Sequence, residues 1–311
     1  MARIKELDYL KGILILLVIS FHLVWFEQLH PFAKQVVYTF HMPGFLLISG
    51  YLMNISKPPK DFLRTLLWLA VPYIIMESGY IVMASLLPIR EHIDRLTPMV
   101  FLDRLLLHPL GPYWYLHTLI LCGGLYYYIY NNVQKGPTTR FLLIGIVYYI
   151  LARVFGILSF SSALYFLAGA AIHQSGIRFL AFFRPSHFSL LAFVLLVSLS
   201  NNPNQTSFVG ALIAYFAISS LLSLYRSLPP RGEVGRGAVF LGRNSLVLYI
   251  FSPIFTILCK QFVPYLQFDH TGLLFLLVSL IFCVSGSLLI AWLMDIVGIS
   301  RFFFGRKALS I

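Results

Sequence analysis

A basic residue and an imidazole lie eleven positions apart in the first apolar stretch of the chain, KGILILLVISFH, as Lys11 and His22. Eleven residues of α-helix rotate by about 1100 degrees, close to a whole number of turns, so both side chains would share one face about 16 Å apart. A neutral imidazole can remove a proton from a hydroxyl group, and Lys and Arg commonly bind phosphates. The pair predicts a helix with an anion-binding cation at one end and a general base in its apolar depth.

Ionisable side chains within apolar spans are costly and are functional candidates by default. His41 lies in the next apolar stretch, and the turn near residues 30–31 falls midway between it and His22. We therefore expect the two imidazoles at similar depth on neighbouring antiparallel helices. Glu77 is a third catalytic candidate, which would orient a histidine or bind a sugar hydroxyl. The alternative for all three is a hydrogen bond or ion pair that only holds helices together.

An aromatic segment, YWYLH, begins a later apolar stretch and suggests substrate binding. Trp114 and Tyr115 could stack on a sugar ring, with His117 one turn further along the helix. Trp and Tyr also form belts at the interface between membrane and water, which is the alternative interpretation of this segment.

Several basic residues lie at the ends of apolar stretches, where positive charge also sets membrane topology. Lys11, Arg64 and Arg243 are the candidates for binding a polyanionic cofactor. Asn244 and Ser245 follow directly and resemble a helix start, which offers free backbone N–H groups to an anion. Both interpretations, topology and cofactor binding, remain open for these residues.

The composition predicts an integral membrane protein, because 59% of the 311 residues are hydrophobic and only 11% are charged. The apolar stretches are about twenty residues long and do not alternate with period two, which favours a helical bundle. The net charge of +12 is spread singly through loops, so nucleic-acid binding is not indicated. Cys122, Cys259 and Cys283 have no metal-ligand spacing and are predicted to be core residues, and no metal is expected.

The predicted fold is an all-α polytopic membrane protein with ten spans and both termini cytoplasmic, as one domain over residues 1–311. With this arrangement most of the 23 Lys and Arg residues fall on the inner side. The connection 88–112 falls on the outer side, and its second half is predicted to be an amphipathic helix that acts as a connector or as a lid. The predicted spans are residues 9–28, 34–54, 62–87, 113–131, 141–158, 161–177, 187–200, 207–225, 238–260 and 273–295.

Five stretches together resemble the membrane-bound acyltransferase family 3, in particular its fucose 4-O-acetylase-like branch, whose members modify bacterial glycans. The basic residue, ten intervening residues and the histidine are typical of that family. The stretches are LDYLKGILILLVISFH (7–22), FHMPGFLLISGYL (40–52), LAVPY (69–73), YWYLHTL (113–119) and LGRNSLVLYIFSPI (241–254).

The resemblance implies that His22 is catalytic and that Lys11 binds or orients acyl coenzyme A. Arg64 would represent one of two arginines before the third span, and Trp68 stands where the other is expected. Members often carry a histidine after the ninth-span tyrosine, whereas Tyr249 is followed here by Ser252, so that histidine's role does not transfer.

The implied function is transfer of an acyl group, most simply acetyl, from cytoplasmic acetyl coenzyme A to a hydroxyl of an envelope or secreted glycan. The acceptor would be a glycan or a lipid-linked sugar, and the protein would lie in the bacterial inner membrane. Direct transfer and relay through an acyl-imidazole both stay open, as do a succinyl donor and a homo-oligomer. The alternatives are a transporter of glycans or lipid-linked precursors and a membrane partner protein without catalysis.

Overall fold

The computed structural model describes residues 3–87, 91–200, 203–229 and 232–310. Within these ranges the chain forms sixteen α-helices and no strand. In chain order, α1 to α16 are Lys5–Ser20, Val24–Leu29, Pro31–Leu52, Pro59–Leu86, Pro98–Leu106, Trp114–Asn132, Pro137–Arg153, Phe160–Gln174, Phe179–Phe182, Phe188–Leu199, Phe208–Ser227, Glu233–Arg243, Ser245–Leu258, Val263–Leu266, Leu273–Val297 and Ser300–Phe304. Short 3-10 helices, Gly111–Tyr113 and Cys259–Phe262, precede α6 and follow α13.

The protein is a membrane protein with helices long and apolar enough to cross a bilayer. Among the described residues, four segments have this length and composition: Pro59–Leu86, Phe208–Ser227, Ser245–Leu266 and Leu273–Val297. Each overlaps a span predicted from the sequence, although Ser245–Leu266 begins and ends several residues later than the predicted span 238–260. The other predicted spans also contain helices, but their passage through a membrane stays a prediction, as does the total of ten.

The chain divides into two compact units. The first unit contains residues 1–45, 178–302 and 306–311. In it, α1 packs against α11, α12, α13 and α15, while α10 packs against α11 and α13 against α15. Its core is apolar, with Leu10, Leu14 and Ile15 of α1 fully buried. The sulfur atoms of Cys259 and Cys283 lie 3.8 Å apart as free, buried thiols.

The second unit contains residues 46–177 and 303–305. Its α6 packs against α4, α7 and α8, and the C-terminal part of α3 meets α8 where Gly50 and Gly169 allow the two backbones to touch. Cys122 is buried here and free, as predicted. The amphipathic helix predicted in the long connection is present as α5; residues 88–90 of that connection lie outside the described residues.

The predicted first span is not one helix, because α1 ends at Ser20 and α2 begins at Val24. In a continuous helix the backbone N–H of His22 would donate to the carbonyl of Val18. That carbonyl instead accepts from the imidazole Nδ1 at 2.7 Å, and the backbone N–H donates to Ile19 at 3.1 Å. The same imidazole-to-carbonyl bond occurs at His41 inside the continuous helix α3, so this bond accompanies the break and does not by itself cause it.

Candidate active site

The N-terminal end of α1 meets α12 at a glycine contact. A Cβ atom on Gly12 would collide with the backbone carbonyl of Ala238, and one on Gly242 would collide with that of Asp8. Only glycine permits two helix backbones to approach so closely, as in many membrane helix pairs. The contact brings Arg243, the last residue of α12, beside the start of α1.

Asp8 is the centre of the charge cluster at this contact. Its carboxylate pairs with Arg3 Nε at 2.6 Å and Lys11 Nζ at 2.8 Å, and Arg243 Nε lies 4.0 Å away. Burial alone would raise the pKa of Asp8, but hydrogen bonds and charge from Lys11 and Arg3 outweigh it and lower the pKa below its usual value. Asp8 thus holds Lys11 in place, and the Lys11 side chain remains 21% exposed.

A basic cavity of about 570 Å³ lies next to this charge cluster. Four of its lining residues are cationic: Lys5, Arg226, Arg236 and Arg243; none of the described lining residues is acidic, and Arg236 pairs with Glu233, which does not line the cavity. The Nε atom of Arg243 is buried and has no hydrogen-bond partner. Guanidinium and ammonium groups around such a cavity suit a ligand with several phosphate groups.

Of the cations that line this basic cavity, the sequence identified only Arg243. Lys5, Arg226 and Arg236 were missed because they come from the starts or ends of three helices that are distant in sequence. The signal that could have found them is the small-residue pattern of GRGAVFLGR, which predicts close helix packing at α12.

Two imidazoles and one phenol form a second cluster in the same unit, as the sequence predicts for His22 and His41. The ring centroid of Tyr38 lies 6.3 Å from that of His22 and 5.0 Å from that of His41. The Tyr38 hydroxyl donates to the carbonyl of Phe21 at 3.0 Å, which lies in the break after α1. His41 is buried, whereas His22 is exposed.

Both imidazoles are oriented in the same way. His22 Nδ1 lies 2.7 Å from the carbonyl of Val18, and His41 Nδ1 lies 2.7 Å from that of Val37. A carbonyl oxygen can only accept, so the proton of each neutral ring is on Nδ1 and the lone pair is on Nε2. Of the two residues His22 is the more exposed, so its Nε2 is the nitrogen of this cluster better placed to take a proton from a substrate hydroxyl.

Glu77 and His117 hold the connection between α4 and α6 in the second unit. Glu77 is fully buried; its Oε1 accepts from the backbone N–H of Leu110 at 2.6 Å, while its Oε2 has no partner. Nε2 of His117 donates to the carbonyl of Leu106 at 2.9 Å. These bonds give both residues a positioning role; the structure does not test their predicted functional roles.

The remaining predicted residues occupy varied environments. Arg64 is exposed on α4, and Trp114 is half-buried at the start of α6. Tyr115 is buried, and its hydroxyl lies 2.7 Å from Ser49 Oγ.

Asn244 separates α12 from α13, where Ser245 begins the next helix. The side chain of Asn244 does not cap α13. Its carboxamide instead accepts from the backbone N–H of Ser310 at 2.8 Å and donates to the carbonyls of Phe240 and Ser310.

Comparison with known proteins gives one match. A family model described as an acyltransferase domain matches residues 4–292, which is nearly the whole chain and includes Lys11, His22 and Arg243. No curated protein and no solved structure matches the chain.

Proposed function

This chain belongs to the acyltransferase family whose model spans residues 4–292, and on that premise we propose that it transfers an acyl group from acyl coenzyme A to a glycan hydroxyl. The family makes it an acyltransferase, and its apolar helices make it a membrane protein. The donor, most simply acetyl coenzyme A, and the acceptor, a glycan or a lipid-linked sugar, are the parts we propose.

One observation carries this proposal: the basic cavity lies at the first residue of α1, and the imidazole of His22 lies just beyond its last residue. The sixteen residues of α1 extend over about 24 Å. Phosphates of the donor would bind Lys5, Arg236 and Arg243, and the flexible pantetheine arm would carry the thioester towards His22. Lys11, one turn beyond Asp8 on α1, would orient the donor.

In the proposed reaction, His22 Nε2 takes the proton of the acceptor hydroxyl while the hydroxyl oxygen attacks the thioester carbonyl. The carbon–sulfur bond then breaks, and the departing thiolate takes the proton from the imidazolium, which regenerates the neutral ring. In the relay alternative, Nε2 first takes the acyl group itself and then passes it to the acceptor. His41 would assist through Tyr38, and Glu77 is retained as a proposed catalytic participant.

Several finer assignments belong to the same proposal. Arg64, Asn244 and Ser245 would contribute to the donor site, and Trp114, Tyr115 and His117 to the acceptor site.

The ten spans would lie in a bacterial inner membrane as one catalytic domain with both termini in the cytoplasm. Labelling a cysteine placed at the exposed Met99 with an impermeant maleimide in intact cells tests this orientation, because we expect modification from outside.

The proposal is tested by release of coenzyme A from acetyl coenzyme A, with purified protein in nanodiscs and a panel of envelope glycans as acceptors. We expect His22→Ala to reduce acceptor-dependent release by about 100-fold or more, the range of general-base catalysis. His173→Ala, which removes an imidazole outside the cluster with His41, should keep wild-type activity. Equal rates for wild type and His22→Ala would refute the catalytic assignment.

The donor site has its own test. Arg236→Ala should raise the KM for acetyl coenzyme A by about tenfold, since a charge-assisted hydrogen bond contributes about 1.5–3 kcal/mol. The matched control is Arg178→Ala, which removes an exposed arginine of the same unit that does not line the basic cavity. An unchanged KM in Arg236→Ala would remove this cavity from the donor site.

A further inference from the structure

A second cavity lies at the N-terminal end of α3, in the same unit as the imidazole cluster. It has a volume of about 350 Å³, and its lining residues include Gln35, Tyr38, Asn204 and Gln205. Sites for small molecules typically have volumes of about 300–1,000 Å³. The cavity is thus large enough for a small ligand, and we call it the amide cavity.

The chemistry of the amide cavity suits a sugar. Three of its residues, Gln35, Asn204 and Gln205, carry carboxamides, a group that can both donate to and accept from sugar hydroxyls. Oδ1 of Asn204 already accepts from the backbone N–H and the hydroxyl of Thr206. Tyr38 adds an aromatic ring, against which the apolar face of a pyranose can pack.

The amide cavity also lacks the charge that an anionic ligand would need. Its one charged lining residue among those described is Lys34. The ammonium of Lys34 is 2.8 Å from Glu27 Oε2, and it also lies 5.4 Å from the ring centroid of Tyr38. Because Glu27 neutralises the lysine, the site favours a neutral sugar over a phosphate or a uronic acid, in contrast to the basic cavity at the other end of α1.

Tyr38 connects the amide cavity to the candidate base. The same residue that lines the cavity contacts the rings of His22 and His41. Gln35 and His41 are six residues apart on α3, which corresponds to about 9 Å along the helix axis. A sugar in the amide cavity would therefore contact Tyr38, whose ring neighbours both imidazoles.

We propose that the amide cavity binds the neutral sugar unit of the acceptor and presents one of its hydroxyl groups to His22. This inference rests on the proposed acyl transfer for its purpose, but binding of the sugar can be measured without any acyl donor.

Binding is tested by saturation-transfer NMR on the protein in nanodiscs, with methyl glycosides of glucose, galactose, mannose, rhamnose and fucose as probes. At least one neutral glycoside should bind, and more tightly than methyl glucuronide. Gln205→Ala should weaken that binding by about three- to tenfold, the loss expected for one hydrogen bond. Gln267→Ala, an exposed glutamine of the same unit outside the cavity, is the matched control and should leave binding unchanged.

A second variant tests the role of charge at the amide cavity, and it changes Glu27, which does not line the cavity. Glu27→Gln releases the charge of Lys34, so it should increase binding of methyl glucuronide while neutral glycosides bind as before. Tighter binding of the glucuronide than of any neutral glycoside by the wild type would overturn the inference, as would unchanged glycoside binding in Gln205→Ala.

The same variants separate this inference from the proposed function. Glycoside binding that depends on Gln205, together with no release of coenzyme A, would support the sugar site and refute acyl transfer. Acyl transfer with an acceptor KM that Gln205→Ala leaves unchanged would support the enzyme and refute the sugar site.

Discussion

The contact between α1 and α12 makes a sharp prediction, because two glycines of the same helix should respond oppositely to the same substitution. A Cβ atom on Gly242 would lie 2.6 Å from the carbonyl carbon of Asp8 and 2.8 Å from the nitrogen of Gly12. These are backbone atoms of α1 and cannot rotate away. A Cβ atom on Gly237, also in α12, meets nothing within 4 Å.

The magnitudes follow from these distances. Overpacking costs about 1–3 kcal/mol, and because here a helix backbone must shift we expect the upper part of that range for Gly242→Ala. The better helix propensity of alanine recovers at most about 1 kcal/mol of this cost. Gly237→Ala has only the gain in helix propensity, which should stabilise the folded state by about 0.5–1 kcal/mol. The two variants should therefore differ by about 2–3 kcal/mol in the free energy of unfolding.

The measurement is a denaturant titration of each variant in mixed micelles, with helix content followed by circular dichroism. Gly242→Ala should also raise the KM for acetyl coenzyme A, because the glycine contact sets the position of Arg243 at the basic cavity. If Gly242→Ala and Gly237→Ala unfold at the same denaturant concentration, the close contact between α1 and α12 is refuted.

Three further predictions concern buried polar groups. Glu77→Gln keeps an acceptor for the N–H of Leu110 and should leave thermal stability nearly unchanged, whereas Glu77→Ala should destabilise by about 1–3 kcal/mol; equal melting temperatures for the two would contradict the bond. Because the pKa of Asp8 is lowered in the folded state, its carboxylate stabilises above its unfolded pKa of about 3.9 and this contribution is lost as pH falls through the lower folded pKa. Asp8→Asn should thus have a lower free energy of unfolding than wild type at neutral pH, and this difference should disappear below about pH 4. A difference that is constant with pH would show that ionisation of Asp8 does not contribute to stability. Asn244→Ala should loosen Ser310 while Asp295 still accepts from the backbone N–H groups of Ala308 and Leu309, so carboxypeptidase should remove Ser310 faster than in wild type and slow at Leu309; an unchanged rate at Ser310 would contradict the Asn244 bonds.

The shared helix face predicted for Lys11 and His22 stays a prediction, because α1 ends at Ser20, before His22. Residue type and spacing were sufficient to predict that His22 and His41 lie near each other. They could do so because these residues lie in two consecutive apolar stretches, so a single turn fixes their relative depth. The proximity of both imidazoles to Tyr38 follows the predicted arrangement. The helix boundaries of the four long apolar helices also agree closely with the predicted spans, except that the ninth begins at Ser245, seven residues after residue 238.

The basic cavity and the role of Asn244 depend on contacts between residues that are distant in sequence, and no local sequence pattern predicts those contacts. The basic cavity forms only because Gly12 and Gly242 let two helices touch, and the sequence carries no sign of which helix α12 will meet. The break between Ser20 and Val24 contains neither proline nor glycine, and the imidazole of His22 does not explain it, because His41 makes the same bond to the carbonyl four residues earlier inside the continuous helix α3. Likewise, Asn244 has the position of a helix cap but pairs with Ser310, which is 66 residues away.

The hydrogen bond from His22 Nδ1 to Val18 has a consequence for the catalytic cycle. That bond needs a proton on Nδ1, and Nδ1 carries one both in the neutral ring and in the imidazolium. The ring can therefore gain and lose a proton at Nε2 without turning or exchanging hydrogen bonds. Since reorganisation of polar groups adds to a reaction barrier, an imidazole fixed in this way can alternate between base and acid at little reorganisation cost.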